Sequence, residues 1–497
     1  MSRNLRTDYL VVGAGALGMA FVDALLDRSD ARIVMTDRRS GPGGHWLDAY
    51  PFVRLHQPSR YYGVDSTPLG GDRPDPTVGQ TGFTERASGA EICGYYDAVL
   101  RNRFLASGRV EFLPMTEHLG AGRLRGLLGG DETRVDADRI VDATYMASRV
   151  PATEPTPFAV DEGVRCVPVG RLVAVAEPPA GFVIVGGGKT ATDAIGWLLD
   201  QRVDPDSITW IRPRDSWVLN RAYYQPDRAK TFEGTVLQLE AMAEAESVHE
   251  VYTRLEHHGV VFRTDPAVVP TMMKGATISQ HEVEQLQSVE RVVRLGHVLR
   301  IEPDRIVLED GSVPTTRGHL HVHCAAEGLS DRPPVPIFGD DALTLQLVTR
   351  LGLTLSGALQ GVAEASGRTT AEKNALVRPT AMPHTPFDYL RVVLDEAVAR
   401  LAILGRVGHR AEGPLRTEKV QSPPSASSRW SSVVTTSSSR AMGSSSGTGP
   451  ATSPRRPSTT TASPSTRNRS SRRAAWASSS IGALLSSVTA TRRSSVS

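Results

Sequence analysis

The sequence predicts an α/β protein built from two parallel sheets with helices on both faces, and two observations carry that prediction. "YLVVGAGALGMAFVDALL" (9–26) passes from an apolar strand through a glycine turn into a helix, and "FVIVGGGKTATDA" (182–194) does the same again. Strand and helix patterns alternate along most of the chain, the signature of sheets covered by crossover helices. One such turn cradles one dinucleotide, so the pair predicts two Rossmann-like domains.

Residues 8–12 read as a buried strand, 13–18 as a tight turn, 19–28 as a helix and "ARIVMTD" (31–37) as a second strand, a βαβ opening. A helix is expected over 88–106, short strands and glycine turns over 109–136, and a strand at "RIVDATYMA" (139–147). The pattern restarts at 181 with a strand, a turn, the helix "ATDAIGWLLDQ" and the strand "ITWIR". Residues 226–292 are charged and helical in composition and read as an insertion. "HVLRIEPD" and "RIVLEDGS" form an expected hairpin, "HLHVHCAAEGL" a buried strand, and "DALTLQLVTRLG" the start of a helix. The expected division is therefore a discontinuous first domain (1–150 and 315–416), a second domain inserted in it (151–314) with the helical insertion 226–292, and a disordered tail from 417 to 497.

The chain has 497 residues, of which 40% are hydrophobic and 22% charged, a composition that supports a large folded core. Its formal charge of +2 comes from the end of the chain. Residues 421–497 hold ten Arg and neither Lys nor acid, and without them the rest carries −8. A mildly acidic folded part argues against nucleic acid as a partner. The tail is rich in Ser, Arg, Thr and Pro with no apolar period, which predicts disorder. A basic interaction tail, a plain disordered end and translation out of frame all remain open for it. The three cysteines, Cys93, Cys166 and Cys324, are far apart, which argues against a disulfide framework or a redox dithiol and fits a reducing, cytoplasmic setting. No apolar run approaches the roughly 20 residues of a membrane span, so no membrane association is expected.

Gly13, Gly15 and Gly18 form G-x-G-x-x-G between strand and helix. The first permits the turn, the second lets a pyrophosphate approach the backbone, and the third lets helix and strand pack closely. Asp37 closes the next strand, where an acid accepts hydrogen bonds from an adenosine ribose. The second turn has Gly186, Gly188 and Ala191, and its following strand ends in Arg212 and Arg214. Cations there suit a 2′-phosphate, so the pair reads as FAD at the first turn and NADPH at the second. Pairing of these arginines with nearby acids is the competing reading. No metal site is expected: His257 and His258 read as a solvated helix end, and His321 and His323 alternate on a strand with no third ligand arranged beside them. Tyr61, Tyr62, Tyr95 and Tyr96 read as packing, while Tyr223 and Tyr224 could stack on a cofactor ring.

"GPGGHW" (41–46), "RLHQPSRYYG" (54–63), "DATYMASRVP" (142–151) and "VGGGKTATD" (185–193) together resemble the class B flavoprotein monooxygenases, the group of the flavin-containing, YUCCA-type and Baeyer–Villiger enzymes. The resemblance covers roughly residues 8–350. It implies that Gly43, Gly44 and Trp46 lie along the flavin, and that His56 and Gln57 stand near its reactive edge. It further implies that Thr144 and Thr190 belong to the cofactor-binding crossovers and that Asp340 and Gln346 close the flavin side. Tyr145 stands where the family has glycine, and "VRCVPVGRLVAVAEPP" lacks the Phe and His of the F-x-G-x-x-x-H-x-x-x-[FWY] signature that precedes the second turn. The resemblance implies an FAD enzyme, reduced by NADPH, that passes one oxygen atom of O2 to a small molecule through a flavin C4a-(hydro)peroxide. The cofactor supplies the oxidant and the protein supplies position and dryness. A disulfide reductase shares both turns but needs an adjacent cysteine pair that this chain lacks. A flavin oxidase or dehydrogenase without oxygen transfer, and a catalytically silent redox sensor, stay open.

Overall fold

The computed structural model describes residues 3–326, 328–350 and 352–408. The tail expected from 417 onward, and residues 409–416 of the expected first domain, lie outside the described residues. Met1–Gly234 and His258–Ala399 make one compact unit, while Thr235–His257 falls in a second. That second stretch carries the end of the helix Arg228–Glu244 and the helix Val248–His257, on which Arg254 bridges Glu244 and Glu250.

In the first unit, the strand Arg3–Val12 is central to a parallel sheet. Ile33–Thr36 and then Val110–Leu113 lie on one side of it, Glu132–Asp142 and then Ala342–Thr344 on the other. The early part of Glu132–Asp142 also pairs antiparallel with Arg123–Gly126, which pairs with Thr116–His118. The all-apolar run at the end of Arg3–Val12 and the four buried residues Ile33–Thr36 fit strands covered on both faces. Helix Ala16–Arg28 covers one face, with Leu353–Glu364 packed against it. At Gly357 and Gly361 an added Cβ would come within 2.5 Å of the Leu17 carbonyl oxygen and 2.7 Å of the Ala24 Cβ, so the two helices touch backbone to backbone.

A second parallel sheet repeats the plan. Gly181–Val185 is flanked by Ile208–Ile211 and then Val292–Val293 on one side, and by His319–His323 and then Cys166–Pro168 on the other. Helix Lys189–Asp200 and helix Gln280–Gln287 cover one face around Ile184, Leu198, Trp210 and Leu286. The meander Val298–Ile301, Arg305–Leu308 and Gly311–Pro314 contributes Val298, Ile301, Ile306 and Leu308 to the core on the other face.

Three expectations change. The segment 226–292 is not wholly helical, because Val261–Phe262 and Met272–Ile278 flank Ser216–Asn220 in a third sheet. Composition averaged over that segment hides strands only two and seven residues long. "DALTLQLVTRLG" does not begin a helix. Ala342–Thr344 completes the first sheet instead, and the helix starts at Leu353 after Gly352 (φ 131°), since a free sheet edge outweighs the propensity of Leu and Gln. The strand expected at 139–147 ends at Asp142, where Ala143 turns to donate to the Val12 carbonyl.

Candidate dinucleotide sites and the segment that joins them

Both glycine turns open at the carboxyl ends of the central strands, where parallel sheets bind ligands. At the first, Gly13 has φ 107°, and a Cβ on Gly18 would run into the Gly13 carbonyl oxygen. Gly15 precedes helix Ala16–Arg28, which has no side-chain cap and no acid in its first turn, so its amide groups are left for an anion. Gly43 donates its N–H to the Ala14 carbonyl at 2.9 Å, and a Cβ on Gly44 would stand 3.1 Å from the Gly15 Cα. The "GPGG" loop therefore lies directly on the first turn. Asp37, 8% exposed, accepts the Ala14 N–H at 2.7 Å and the Arg39 N–H at 2.8 Å, fixing its carboxylate beside the turn. Thr144 touches the turn too, because its Cγ2 would be 3.0 Å from a Cβ on Gly13, and its hydroxyl is held by Asp142. Trp46 is half-buried and tilted against His45, whose pKa is pushed down to about 4 by burial and by Arg39, against the pull of Asp48.

The second turn has Gly186 at φ 140°, with its carbonyl capped by the buried Trp210 indole N–H at 2.7 Å. Gly188 precedes the uncapped helix Lys189–Asp200, and a Cβ added to it would meet nothing within 4 Å. Ala191 is fully buried in the third-glycine position. Thr190 is half-buried beside Tyr50.

The two arginines part company here. Arg212, 2% exposed, stacks 4.1 Å over Trp210 and pairs with Asp215 at 2.8 Å. Asp215 also binds Arg294, which binds Asp265, so this cluster is charge-balanced. Burial pulls the Arg212 pKa down to about 10 despite Asp215. Arg214 is exposed and makes no ion pair among the described residues.

The segment between "GPGG" and "LHQP" ties the turns together. The Tyr50 hydroxyl donates to Asp193 at 2.6 Å, Asp193 also holds Lys189 at the start of the second helix, and Phe52 stacks on Trp197 with centroids 4.8 Å apart. His56 is half-buried, and its ring makes no hydrogen bond among the described residues. Burial and the nearby Lys189 and Arg221 hold its pKa well below the usual range. Gln57 is half-buried next to it. Asp340 is exposed in the turn that brings Gly339 N–H to the Ala342 carbonyl. Gln346 is spent internally, exchanging hydrogen bonds with Val335 at 3.0 and 2.9 Å. Tyr224 is buried with its hydroxyl 3.1 Å from that of Tyr389 and belongs to a polar core rather than to an open face. Sequence reasoning missed Tyr50, Lys189 and Asp193, although the Lys–Asp spacing of four at a helix start was a visible signal.

No family model matches the chain. An uncharacterised protein of Mycobacterium tuberculosis (strain H37Rv) is 45% identical over 397 residues, covering 79% of this chain and 73% of that protein, and one of Mycobacterium bovis matches equally. The chain belongs to the family of these mycobacterial proteins. Solved structures similar to this member of the family include an oxidised steroid monooxygenase bound to NADP (15% identity, 72% of this chain and 85% of that one, TM-score 0.47). Cyclohexanone monooxygenase from Rhodococcus sp. Phi1 bound to NADP+ (15%, 75% and 85%, TM-score 0.46) is another, as is a flavin-containing monooxygenase from Stenotrophomonas maltophilia (17%, 70% and 84%, TM-score 0.38). Among the described residues no helix is long and apolar enough to cross a membrane.

Proposed function

We propose that this protein is a flavin-dependent monooxygenase that holds FAD at the first glycine turn and NADPH at the second, and transfers one oxygen atom of O2 to a small organic molecule. The observation that carries the reading is the repetition within one unit of a central parallel strand, a positive-φ glycine and an uncapped helix. The residues fit such groups. A Cβ on Gly44, at φ 60°, would stand 3.1 Å from the Gly15 Cα, and Gly188 faces open space in which a phosphate can reach the backbone. Asp37 would accept hydrogen bonds from the FAD ribose, with Gly43, Gly44, Trp46 and Thr144 lining the same cradle. Arg214 would face the 2′-phosphate, while Arg212, already balanced by Asp215, would hold the turn rather than the phosphate. When bound, FAD supplies the redox and oxygen chemistry, so the protein needs no strong acid or base of its own. His56, kept neutral by its surroundings, can donate or accept one hydrogen bond without introducing charge.

Purified full-length protein should be yellow, and its flavin band should bleach anaerobically with NADPH faster than with NADH. Labelled O2 should then appear in an oxidised product. A colourless preparation that takes up no flavin on reconstitution would overturn the reading. Bleaching followed only by hydrogen peroxide release would reassign the protein as a flavin oxidase.

A further inference from the structure

The backbone of His56 is gripped by a buried ion network assembled from three distant stretches of chain. Its carbonyl oxygen accepts two hydrogen bonds, from Arg221 Nε at 2.8 Å and from the Thr277 hydroxyl at 2.7 Å. Arg221 is fully buried, and its remaining nitrogens bind Gln80 Oε1 at 2.7 Å, Glu282 Oε2 at 2.6 Å and the Thr277 carbonyl at 3.2 Å. Glu282 reaches Arg86 at 3.4 Å, and Arg86 pairs with the buried Asp75 at 2.7 Å. Gln80 Nε2 donates to Ser279, which with Glu282 forms the capping box of helix Gln280–Gln287. Two guanidinium groups thus face two carboxylates, and every arm of Arg221 is occupied. Burial works against the Glu282 carboxylate, but Arg221 and Arg86 together hold its pKa well below the usual range.

Two donors fill both lone pairs of one carbonyl. The network converges on the residue whose ring makes no hydrogen bond among the described residues. A carbonyl held by a buried, forked guanidinium and a hydroxyl cannot slide or rotate without leaving two buried donors unpaired. We propose that Arg221, with Thr277 and Glu282, is a positioning device that sets where the His56 imidazole stands. The device gives the strand Met272–Ile278 and the following helix a part in the site. The functional weight of this inference rests on the reading of His56 as a flavin-site residue.

Three variants test it: Arg221→Lys, which keeps the charge but loses the fork; Thr277→Val, which removes one donor with little change of shape; and Glu282→Gln. The ring nitrogens of His56 are followed by NMR in the flavin-free protein, with the signal identified by its loss in His56→Gln. Anaerobic bleaching by NADPH is followed in the flavin-loaded protein. Arg221→Lys should move the His56 signals and slow bleaching at saturating NADPH about tenfold, Thr277→Val should slow it about threefold, and both should leave the half-saturating NADPH concentration unchanged. Variants that lower only the melting temperature, with the imidazole signals and bleaching rate intact, would overturn the proposal. If Arg221→Lys does not fold, Thr277→Val decides the matter alone. Moved imidazole signals beside a kinetically silent His56→Gln would support the clamp and overturn instead the assignment of His56 to the flavin site.

Discussion

At the first glycine turn Gly18 lies against the Gly13 carbonyl and Gly44 against Gly15, whereas at the second Ala191 takes the third-glycine place and Gly188 faces open space. The first turn is closed around by its own chain, with Asp37 bonded to Ala14 and the "GPGG" loop seated on the backbone. The second is open, and the charges near it are organised into a neutral, partly buried Arg212–Asp215–Arg294–Asp265 cluster that leaves Arg214 outside. Steric fit guards the first turn, and electrostatics guards the second.

The largest test of that contrast is Asp215→Asn. It leaves two buried or half-buried arginines beside the second turn with a single remaining acid, and should cost about 3–5 kcal/mol in denaturant unfolding. A loss below 1 kcal/mol would show that the cluster does not hold that turn together. Next comes the third-glycine position. Gly18→Ala forces a Cβ into the Gly13 carbonyl and should cost about 1–3 kcal/mol and release flavin on gel filtration. The reverse change at the second turn, Ala191→Gly, should cost about 2 kcal/mol, the helix-propensity difference plus a buried methyl, without releasing flavin. Flavin release from both variants, or from neither, would erase the steric contrast.

Smaller again is Arg214→Ala, which should leave folding stability within about 0.5 kcal/mol. It should lower the affinity for NADPH about tenfold while sparing NADH, as measured by equilibrium titration. If instead both coenzymes weaken equally, the 2′-phosphate is read elsewhere. A pH-dependent effect concerns His45 in the first cradle. Its pKa falls from 6.5 to about 4 on folding, so its neutral form is the one that the fold favours. The associated stability is complete above pH 6.5 and is lost as pH drops through that window toward 4. Urea midpoints measured across the window should fall less steeply in His45→Asn than in the parent protein.

Much of the architecture was legible because it is written in local periods. The two strand–turn–helix units, the capped helix after Ser88 and the hairpin near residue 300 all follow from short-range pattern. The glycines and Asp37 were legible for the same reason, since a turn of fixed geometry admits few residue types. What escaped were pairings between distant segments. Ala342–Thr344 is a strand because a slot beside Ile140–Asp142 stands open to it, and no property of its own sequence says so. Arg212 and Arg214 look interchangeable in sequence, and only burial against Trp210 and Asp215 separates them.

The same division runs through the candidate site. Local steric rules, which act over a few residues and are the same in any chain, placed both glycine turns. The grip of Arg221, Thr277 and Glu282 on His56 spans more than 200 positions in sequence, and neither helix nor strand periodicity encodes which buried charge will meet which. Such partners are chosen when the fold removes water from them, because an ion losing its hydration must find its counter-charge in whatever packs nearby. That selection belongs to the tertiary structure alone.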